Sequence, residues 1–307
     1  WRAALTRWTR LNGRKKISLQ GRVAPDRNEE YLLYQTLLGA WPWAEIDDEF
    51  VRRVCEFMLK ALKEAKVHTS WITPNTAYEE AVLQFVRSIL DPQDNAAFLD
   101  DFSQLQKKVA FFGVFNSLSQ TVLKLGSPGV ADVYQGNELW DLSLVDPDNR
   151  RPVDFDLRQR ALAEVLGRSA DRVRLACELM ETREDGRIKV YVSQRLLCLR
   201  RQMPGLFVGG GYTPLRGNQH VAAFARSFEG QHLVIAAPVQ VATLARGALV
   251  APVGPELWRE ERLIVPGRVY RDLFTARELT AVDVDGRPTL KLAEVLGDLP
   301  VAALLSE

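Results

Sequence analysis

The sequence predicts a fold in two parts, mostly helical up to about residue 205 and antiparallel β after it. Before that point, apolar residues recur every three or four positions in several long segments. Met203-Pro204-Gly205 interrupts this pattern. After it, two β-type runs in VAAFARSFEGQHLVIAAPV are separated by Glu229-Gly230-Gln231, which is typical of a β-hairpin. The later LIVPGRVYRDLFTARELT and KLAEVLGDLPVAALL continue as short strands and turns.

Eight helices and one strand are predicted in the first part. In the first helix, Trp1, Leu5, Trp8 and Leu11 fall at helical spacing, and residues 13–28 form a loop whose Asn28 caps the second helix. VADVYQ at 130–135 is predicted to be a short buried strand, because it contains β-branched and aromatic residues. The predicted helices span residues 1–12, 29–41, 47–66, 77–90, 98–126, 157–166, 171–182 and 188–202.

The composition is that of a globular protein, and its balanced charge gives no sign of a nucleic-acid or membrane partner. The chain has 307 residues, 47% hydrophobic and 26% charged, and 40 basic against 39 acidic residues give a net charge of +1. We therefore expect no nucleic-acid partner and no membrane association. Apolar runs stay well short of the roughly 20 residues that span a bilayer. The basic N-terminal stretch lacks the apolar core of a secretory signal.

The cysteines favour a reducing compartment. Cys55, Cys177 and Cys198 are far apart, odd in number and without CxxC spacing, which argues against both a disulfide framework and a zinc site. We expect them to be buried thiols, since each lies within a helical pattern. A cytoplasmic location fits this composition best.

One stretch gathers groups that could hold a polar ligand. We call residues 127–155, SPGVADVYQGNELWDLSLVDPDNRRPVDF, the rim segment. An aromatic ring can stack on the apolar face of a sugar while carboxylates and amides bind its hydroxyls. Glu138, Trp140, Asp141 and Asn149 have these properties.

The alternative interpretation is a purely structural loop. Its aspartates would then cap turns, and its two adjacent arginines would pair with acidic residues that follow them. The aspartates concerned are Asp132, Asp146 and Asp148, and the expected pairs join Arg150 and Arg151 to Asp154 or Asp156.

Longer motifs resemble a known family. GSPGVADVYQGNE resembles the eighth-strand motif of the α-amylase superfamily. The strings YQGNELWDLSLVDPDNRRPVDF, PDRNEEYLLYQTLLGAWP and HTSWITPNTAYEEAV narrow the resemblance to the maltooligosyltrehalose synthases. This family of glucosylmutases, which are isomerases of trehalose biosynthesis, converts the reducing-end α-1,4 linkage of a maltooligosaccharide into an α,α-1,1 linkage.

The resemblance implies an α/β barrel remnant. The chain would be the C-terminal part of a (β/α)8 barrel with a helical insertion, followed by a C-terminal antiparallel β domain. The implied parts are 1–28, a helix and loop following the seventh barrel strand; 29–108, the helical insertion; 109–168, the last barrel helix-strand-helix with the active-site rim loop; 169–205, a helical segment; and 206–307, the β domain.

The resemblance also implies that the catalytic carboxylates lie elsewhere. The superfamily uses an aspartate nucleophile, a glutamate acid/base and a stabilising aspartate after earlier barrel strands. In this family the last of these lies in a Thr-His-Asp-Thr-Lys-Arg type segment, whereas His68, His220 and His232 are not in any His-Asp pair. We therefore expect no catalytic residue in this chain, and no activity from the chain alone.

The same resemblance adds Tyr134 and Gln135 to the candidate substrate-binding residues. It implies no cofactor and no metal. The implied partners are a maltooligosaccharide substrate and the N-terminal catalytic part of the same enzyme. Two other functions stay open: a fragment of another α-amylase superfamily hydrolase or transglycosylase, and a non-catalytic carbohydrate-binding module.

Two further motifs have competing interpretations. Trp41, Trp43 and Trp71 could wall off a pocket from water or belong to the core. Gly209-Gly210-Gly211 is not followed by the Lys-Ser/Thr of a phosphate-binding loop, so we expect no phosphate site there.

Overall fold

A computed structural model describes residues 1–306, which form two compact units. The first, here called the helical unit, contains Trp1–Ala110 and Leu142–Pro152. The second, here called the β-containing unit, contains Phe111–Asp141 and the residues from Val153 onward. The division of the chain at residues 28, 108, 168 and 205 stays a prediction.

The helical unit consists of α-helices and one two-stranded hairpin. Its core contains several aromatic side chains, among them Trp8, Tyr34, Phe98 and Phe102, each without measurable exposure. Residues of α5 up to Ala110 belong to this unit. Its elements are α1 (Arg2–Asn12), β1 (Ile17–Leu19), β2 (Arg22–Ala24), α2 (Arg27–Ala40), α3 (Asp48–Ala65), α4 (Thr76–Leu90) and α5 (Pro92–Gly126), which is kinked at Asn95.

Two predictions at the start of the helical unit are wrong. The predicted loop 13–28 contains the β1–β2 hairpin, whose turn residues Gln20 and Gly21 both have positive φ, as a two-residue hairpin turn requires. Asn28 does not cap α2. Asp26 does, because its side chain accepts from the N–H of residue 29 while the Glu29 carboxylate accepts from the Asp26 N–H, which completes a capping box.

The β-containing unit adds helices and nine short strands in its described residues. Among residues 1–306, no helix combines the length and the apolar character that crossing a membrane requires. The helices are α6 (Phe155–Gly167), α7 (Arg172–Glu181), α8 (Arg187–Gln202), α9 (Pro204–Val208), α10 (Val241–Leu244), α11 (Pro255–Trp258) and α12 (Leu292–Val295). The strands are β3 (Gly211–Pro214), β4 (Val221–Phe228), β5 (Gln231–Pro238), β6 (Arg262–Ile264), β7 (Val269–Asp272), β8 (Glu278–Thr280), β9 (Val282–Val284), β10 (Arg287–Lys291) and β11 (Ala302–Ser306).

These strands form one six-stranded and one three-stranded antiparallel sheet. The orders are β3-β4-β5-β11-β7-β8 and β6-β10-β9. The predicted hairpin is confirmed, since β4 pairs with β5 from Val221–Pro238 to Phe228–Gln231. Glu229 and Gly230, the two residues of its turn, both have positive φ.

Both faces of the large sheet are buried at its centre. Successive side chains of β5 point to opposite faces, as the two-residue period of a strand dictates. Leu233, Ile235 and Ala237 belong to one hydrophobic cluster, while Val234 and Ala236 belong to a second. This explains why the run LVIAA in β5 is apolar throughout instead of alternating.

The three consecutive glycines meet different surroundings, which permits a controlled test. A Cβ on Gly210 would lie 2.5 Å from the Leu206 carbonyl oxygen and 3.0 Å from that of Ser227, whereas on Gly209 or Gly211 its nearest contacts would be ordinary ones at 3.7 and 3.8 Å. We expect Gly210→Ala to lower the free energy of unfolding by roughly 1–3 kcal/mol, because backbone atoms have to move. Gly209→Ala and Gly211→Ala are the controls in urea unfolding, and equal midpoints for all three would contradict this prediction.

The strand predicted at 130–135 is absent. Residues 130–134 have no regular secondary structure and residues 135–138 form a turn. Val130 is 99% exposed and Tyr134 is 52% exposed. The sequence has strand character, but a strand forms only against a neighbour that binds its backbone groups, and no described strand pairs with this segment.

The barrel part of the predicted fold class is accordingly not observed. Every strand pair among the described residues is antiparallel, whereas a (β/α)8 barrel requires parallel strands. Strands β3–β11 all follow residue 205. The coarser expectation of helices followed by antiparallel sheets therefore agrees with the structure.

The expectation of three buried thiols is met only by Cys55. All three cysteines are free, with Cys55 buried, Cys198 half-buried and Cys177 exposed. Cys177 lies in α7, whose buried residues are Leu175, Ala176 and Leu179, and the helical rotation places the Cys177 side chain outward.

Candidate functional site

The rim segment is divided between the two units. Five of the six candidate residues lie in the β-containing unit: Tyr134, Gln135, Glu138, Trp140 and Asp141. Asn149 lies in the helical unit. The structure therefore places five candidates within eight consecutive residues, here called the rim turn (134–141), and Asn149 is described separately.

A positive-φ glycine and an arginine shape the first half of the rim turn. The Asn137 N–H donates to the Tyr134 carbonyl at 3.1 Å, and Gly136 between them has φ +90°. A side chain on Gly136 would be strained by that φ and would approach Val153 to 3.2 Å. Arg158 Nη2 donates to the Gly136 carbonyl at 2.6 Å.

Glu138 is held by the same arginine. Arg158 Nε donates to Glu138 Oε2 at 3.0 Å. Arg158 lies in the first turns of α6, and its Nη1 also donates to the carbonyl of Asp154, the N-cap of that helix. The Glu138 carboxylate is partly exposed, so it is oriented by the protein while one side still faces solvent.

Tyr134, Gln135 and Asp141 are the exposed candidates of the rim turn. A half-exposed phenol ring can stack on a pyranose, and an amide can both donate to and accept from hydroxyl groups. These side chains therefore have the chemistry that sugar contact needs. Whether they contact sugar stays a prediction.

Trp140 combines packing with hydrogen bonding inside the protein. Its indole Nε1 donates to the Arg183 carbonyl at 2.8 Å, and its ring packs half-buried against the hydrophobic cluster of this unit. The indole N–H is thus already engaged. Any contribution of Trp140 to ligand binding has to come from its ring face.

Lys189 is a site residue that the sequence analysis missed. It lies near the start of α8, is 6% exposed, and donates from Nζ to Asn137 Oδ1 at 3.0 Å and to the Leu139 carbonyl at 3.1 Å. Its ammonium group also lies 5.7 Å from the centroid of the Trp140 ring. The sequence contains a signal that could have identified it: Lys189 interrupts the otherwise apolar run Ile188–Val192, and a lysine buried in such a run requires polar partners.

Burial depresses the pKa of Lys189 to about 8. Removal from water disfavours its charge, and the positive charge of Lys124 acts in the same direction. The carboxylates of Asp141 and Glu138 oppose this shift. The group therefore titrates near physiological pH instead of at the usual value of 10.5.

In the helical unit, Asp148 has the structural role that the alternative interpretation gives it, because its side chain accepts a backbone N–H within a turn. Asp148 is buried and receives Arg53 Nε at 2.7 Å, Arg53 Nη2 at 2.8 Å and the Leu144 N–H at 2.7 Å. Lys60 Nζ donates to the Asp146 carbonyl at 2.6 Å. Among the described residues, buried Asn149 Oδ1 has no hydrogen-bond partner.

The predicted arginine pairs in this stretch are wrong. Arg150 pairs with Asp146, and Arg151 pairs with Asp148 at 3.0 Å, instead of either pairing with Asp154 or Asp156. The reason is the 3-10 turn Asp148–Arg150, which folds the two arginines back over acidic residues that precede them.

Three side chains with metal-binding chemistry come together, but their ligand atoms already form hydrogen bonds within the protein. Ligand atoms of Asp26, Glu29 and His68 lie within 4.8 Å of one another. Asp26 and Glu29 form the capping box of α2, His68 Nε2 lies 2.9 Å from Asp26 Oδ2, and Tyr78 donates to Glu29 at 2.5 Å. This cluster stabilises the start of α2.

The tryptophans of the helical unit have mixed environments. Trp41 is half-buried against Phe50 and Phe102, whereas Trp43 and Trp71 are 44% and 60% exposed. The core interpretation therefore holds only for Trp41. A cavity of about 750 Å³ in this unit, between α3 and α4, involves none of the six candidates.

Comparison with known proteins agrees with the motif resemblance. A Mycobacterium tuberculosis H37Rv protein that carries the name maltooligosyl trehalose synthase is 31% identical over 289 residues, which are 92% of this chain and 32% of the relative. The solved structure of the Arthrobacter ramosus maltooligosyltrehalose synthase is 31% identical, with a TM-score of 0.71 over 98% of this chain and 35% of the relative. The resemblance to the maltooligosyl trehalose synthases is confirmed.

A second maltooligosyl trehalose synthase crystal structure has a TM-score of 0.73 at 26% identity, covering this chain completely and 36% of its own length. No family model matches the chain. The chain spans about a third of the length of the curated synthases that it matches. The activity, substrates and partners of a whole synthase are therefore matters of proposal for this chain.

Proposed function

We propose that this chain is part of an intramolecular transglucosylase, an isomerase that converts the reducing-end α-1,4 linkage of maltooligosaccharides into an α,α-1,1 linkage. The observation that supports this most is 31% identity to named maltooligosyl trehalose synthases over 92% of the chain. The backbone similarity to their solved structures agrees with it. The product would carry a trehalose end, which places the reaction in trehalose biosynthesis.

In this proposal the rim turn borders the sugar site. Tyr134 would stack on a glucosyl ring, and Gln135, Glu138 and Asp141 would bind its hydroxyl groups. Two observations support this role: the exposure of Tyr134 and Gln135, and the fixed orientation that Arg158 gives to Glu138. Trp140 would contribute a ring face, since its N–H is engaged by Arg183.

The unpaired segment before the rim turn fits the same proposal. We propose that residues 130–134 pair, as the last barrel strand, with strands of the N-terminal catalytic part of the enzyme. Their strand character and the absence of a described partner strand support this. The three catalytic carboxylates would come from that other part.

The proposed chemistry is that of a retaining enzyme. An aspartate attacks C1 of the penultimate glucosyl unit while a glutamic acid protonates the departing O4, so the C1–O4 bond breaks and a covalent glucosyl-enzyme forms. The freed reducing glucose stays bound and reorients. Its anomeric hydroxyl then attacks the same C1, gives its proton to the glutamate and releases the aspartate. Water has to be excluded, because water attack would hydrolyse the intermediate.

The test compares the full-length protein with this chain alone on maltopentaose. We expect the full-length protein to remove reducing ends without releasing glucose, and the chain alone to give no turnover. Release of reducing sugar by the full-length protein would indicate a hydrolase of the same superfamily. Oligosaccharide binding without turnover by the full-length protein would indicate a carbohydrate-binding module. Mutase turnover by the chain alone would contradict the proposal that the catalytic carboxylates lie in another part of the enzyme.

The location of the enzyme is also a proposal. We propose a cytoplasmic location, because three cysteines, odd in number and without CxxC spacing, fit a reducing compartment.

A further inference from the structure

Lys189 concentrates three interactions on one short stretch of the rim turn. Its ammonium group donates to the Asn137 side chain and to the Leu139 carbonyl, and it faces the ring of Trp140. All three partners lie within residues 137–140. A single side chain from α8 thereby contacts the Asn137 side chain, the Leu139 backbone and the Trp140 ring, on both sides of Glu138 in sequence.

A purely structural role does not require a lysine at this position. The neighbours Ile188 and Val190 are buried in the hydrophobic cluster of the unit. A buried charge has a desolvation cost that an apolar side chain of similar volume would avoid. The nearest charges also differ in sign, since Lys124 repels the ammonium group while Glu138 and Asp141 attract it. A lysine at position 189 therefore lowers the free energy of unfolding while it orders residues 137–140.

We propose that Lys189 is a positioning residue for maltooligosaccharide binding, which holds residues 137–140 so that Glu138 and the Trp140 ring face the sugar. This inference rests on the proposed function. It predicts that substrate affinity depends on Lys189 while the chemical step, performed by carboxylates outside this chain, depends on it little.

Because Lys189 titrates, substrate affinity should depend on pH. With a folded-state pKa near 8, the ammonium group loses its proton between about pH 7 and 9, and its hydrogen bonds and cation–π contact weaken. The unfolded chain keeps that proton up to the ordinary value of 10.5, so the unfolded state binds more protons in this interval. The contribution of Lys189 to the free energy of unfolding therefore rises with pH while its contribution to sugar binding falls.

Two variants and a control test this in the full-length protein. We expect Lys189→Met to raise KM for maltopentaose about tenfold, to change kcat less than threefold, and to leave Tm equal or higher. Lys189→Arg, which keeps a charge that does not titrate, should restore most of the affinity. The rise of KM between pH 7 and 9 in the wild type should be absent from both variants. Lys107→Met, an exposed lysine of the helical unit, is the control and should behave as wild type.

A second readout separates this inference from the proposed function. Hydrogen exchange followed by mass spectrometry should show faster exchange of peptides covering residues 134–141 in Lys189→Met than in the wild type. Unchanged exchange, or an unchanged KM in an active enzyme, would overturn the positioning role. Absence of mutase activity in the wild-type full-length protein would instead overturn the proposed function, and the exchange result would still decide whether Lys189 orders the loop.

Discussion

Asp148→Ala is expected to lower the free energy of unfolding of the helical unit by about 3–5 kcal/mol, the loss typical of removing one partner from a buried ion pair. The Asp148 carboxylate accepts both a bidentate contact from Arg53 and the Leu144 N–H. Side chains of Asp148 and Arg53 are only 7% and 12% exposed. Without the carboxylate, a buried guanidinium charge loses its main anionic partner.

The pH dependence of unfolding offers an independent check on Asp148. Burial alone would raise the pKa of this carboxyl, but hydrogen bonds from Arg53 and Leu144 and the charges of Arg53 and Arg151 outweigh it and lower the pKa. A lowered folded-state pKa contributes stability that is present above the ordinary value of 3.8 and is lost as the pH falls through the folded-state value.

Urea unfolding of the wild type, Asp148→Ala and Asp148→Asn between pH 3 and 7 measures both effects. Asp148→Asn keeps the shape and one acceptor, so it should lose less stability than Asp148→Ala, and neither variant should show the acid-side decline due to this group. The double variant Arg53→Met/Asp148→Leu should recover part of the loss, since it removes both charges together. Equal unfolding midpoints for the wild type and Asp148→Ala would show that the Arg53–Asp148 ion pair does not stabilise the helical unit.

Trp8→Ala is expected to cost about 3–5 kcal/mol in the same unit, because it empties the volume of a fully buried indole. The Trp8 ring contacts Tyr34, Phe98 and Phe102 with centroid distances of 5.2–6.0 Å. Its Nε1 also donates to Asp101 at 2.6 Å. These contacts join α1 to α2 and α5.

Two comparisons make the Trp8 result interpretable. Trp8→Phe keeps most of the ring volume and loses the hydrogen bond to Asp101, so it should cost clearly less than alanine. Trp43→Ala removes the same ring from an exposed position of the same unit and should change the midpoint little. Similar midpoints for Trp8→Ala and Trp43→Ala in urea unfolding would contradict the central role of Trp8.

Periodicity predicted the helices well and the isolated strand badly, for one physical reason. A helix closes its hydrogen bonds within the segment, so α3 and α8 were visible in their own residues. A strand depends on a neighbour that sequence alone does not supply. The β4–β5 hairpin was predicted because its partner strand follows directly after Glu229 and Gly230. Residues 130–134 have the same strand character and no such neighbour in the described chain.

The sequence predicted the site residues that lie close together in the chain and missed those that only folding brings near them. Residue types indicated Glu138 and Trp140, but not that Arg158 orients the first or that Arg183 engages the second. Lys189 lies some fifty positions away from the rim turn in sequence, and only the folded chain brings it to Leu139. Asn149 was grouped with the others by proximity in sequence, yet it folds with the other unit.

The passage of residues 142–152 into the helical unit has a consequence for biosynthesis. Domains emerging from the ribosome generally fold in the order of their synthesis. This unit cannot finish when Ala110 emerges, because Leu144 packs against its core and Asp148 neutralises Arg53. Its N-terminal helices must therefore wait, partly assembled, while the 42 codons of residues 111–152 are translated. Nascent chains halted before and after this segment should differ sharply in their resistance to protease.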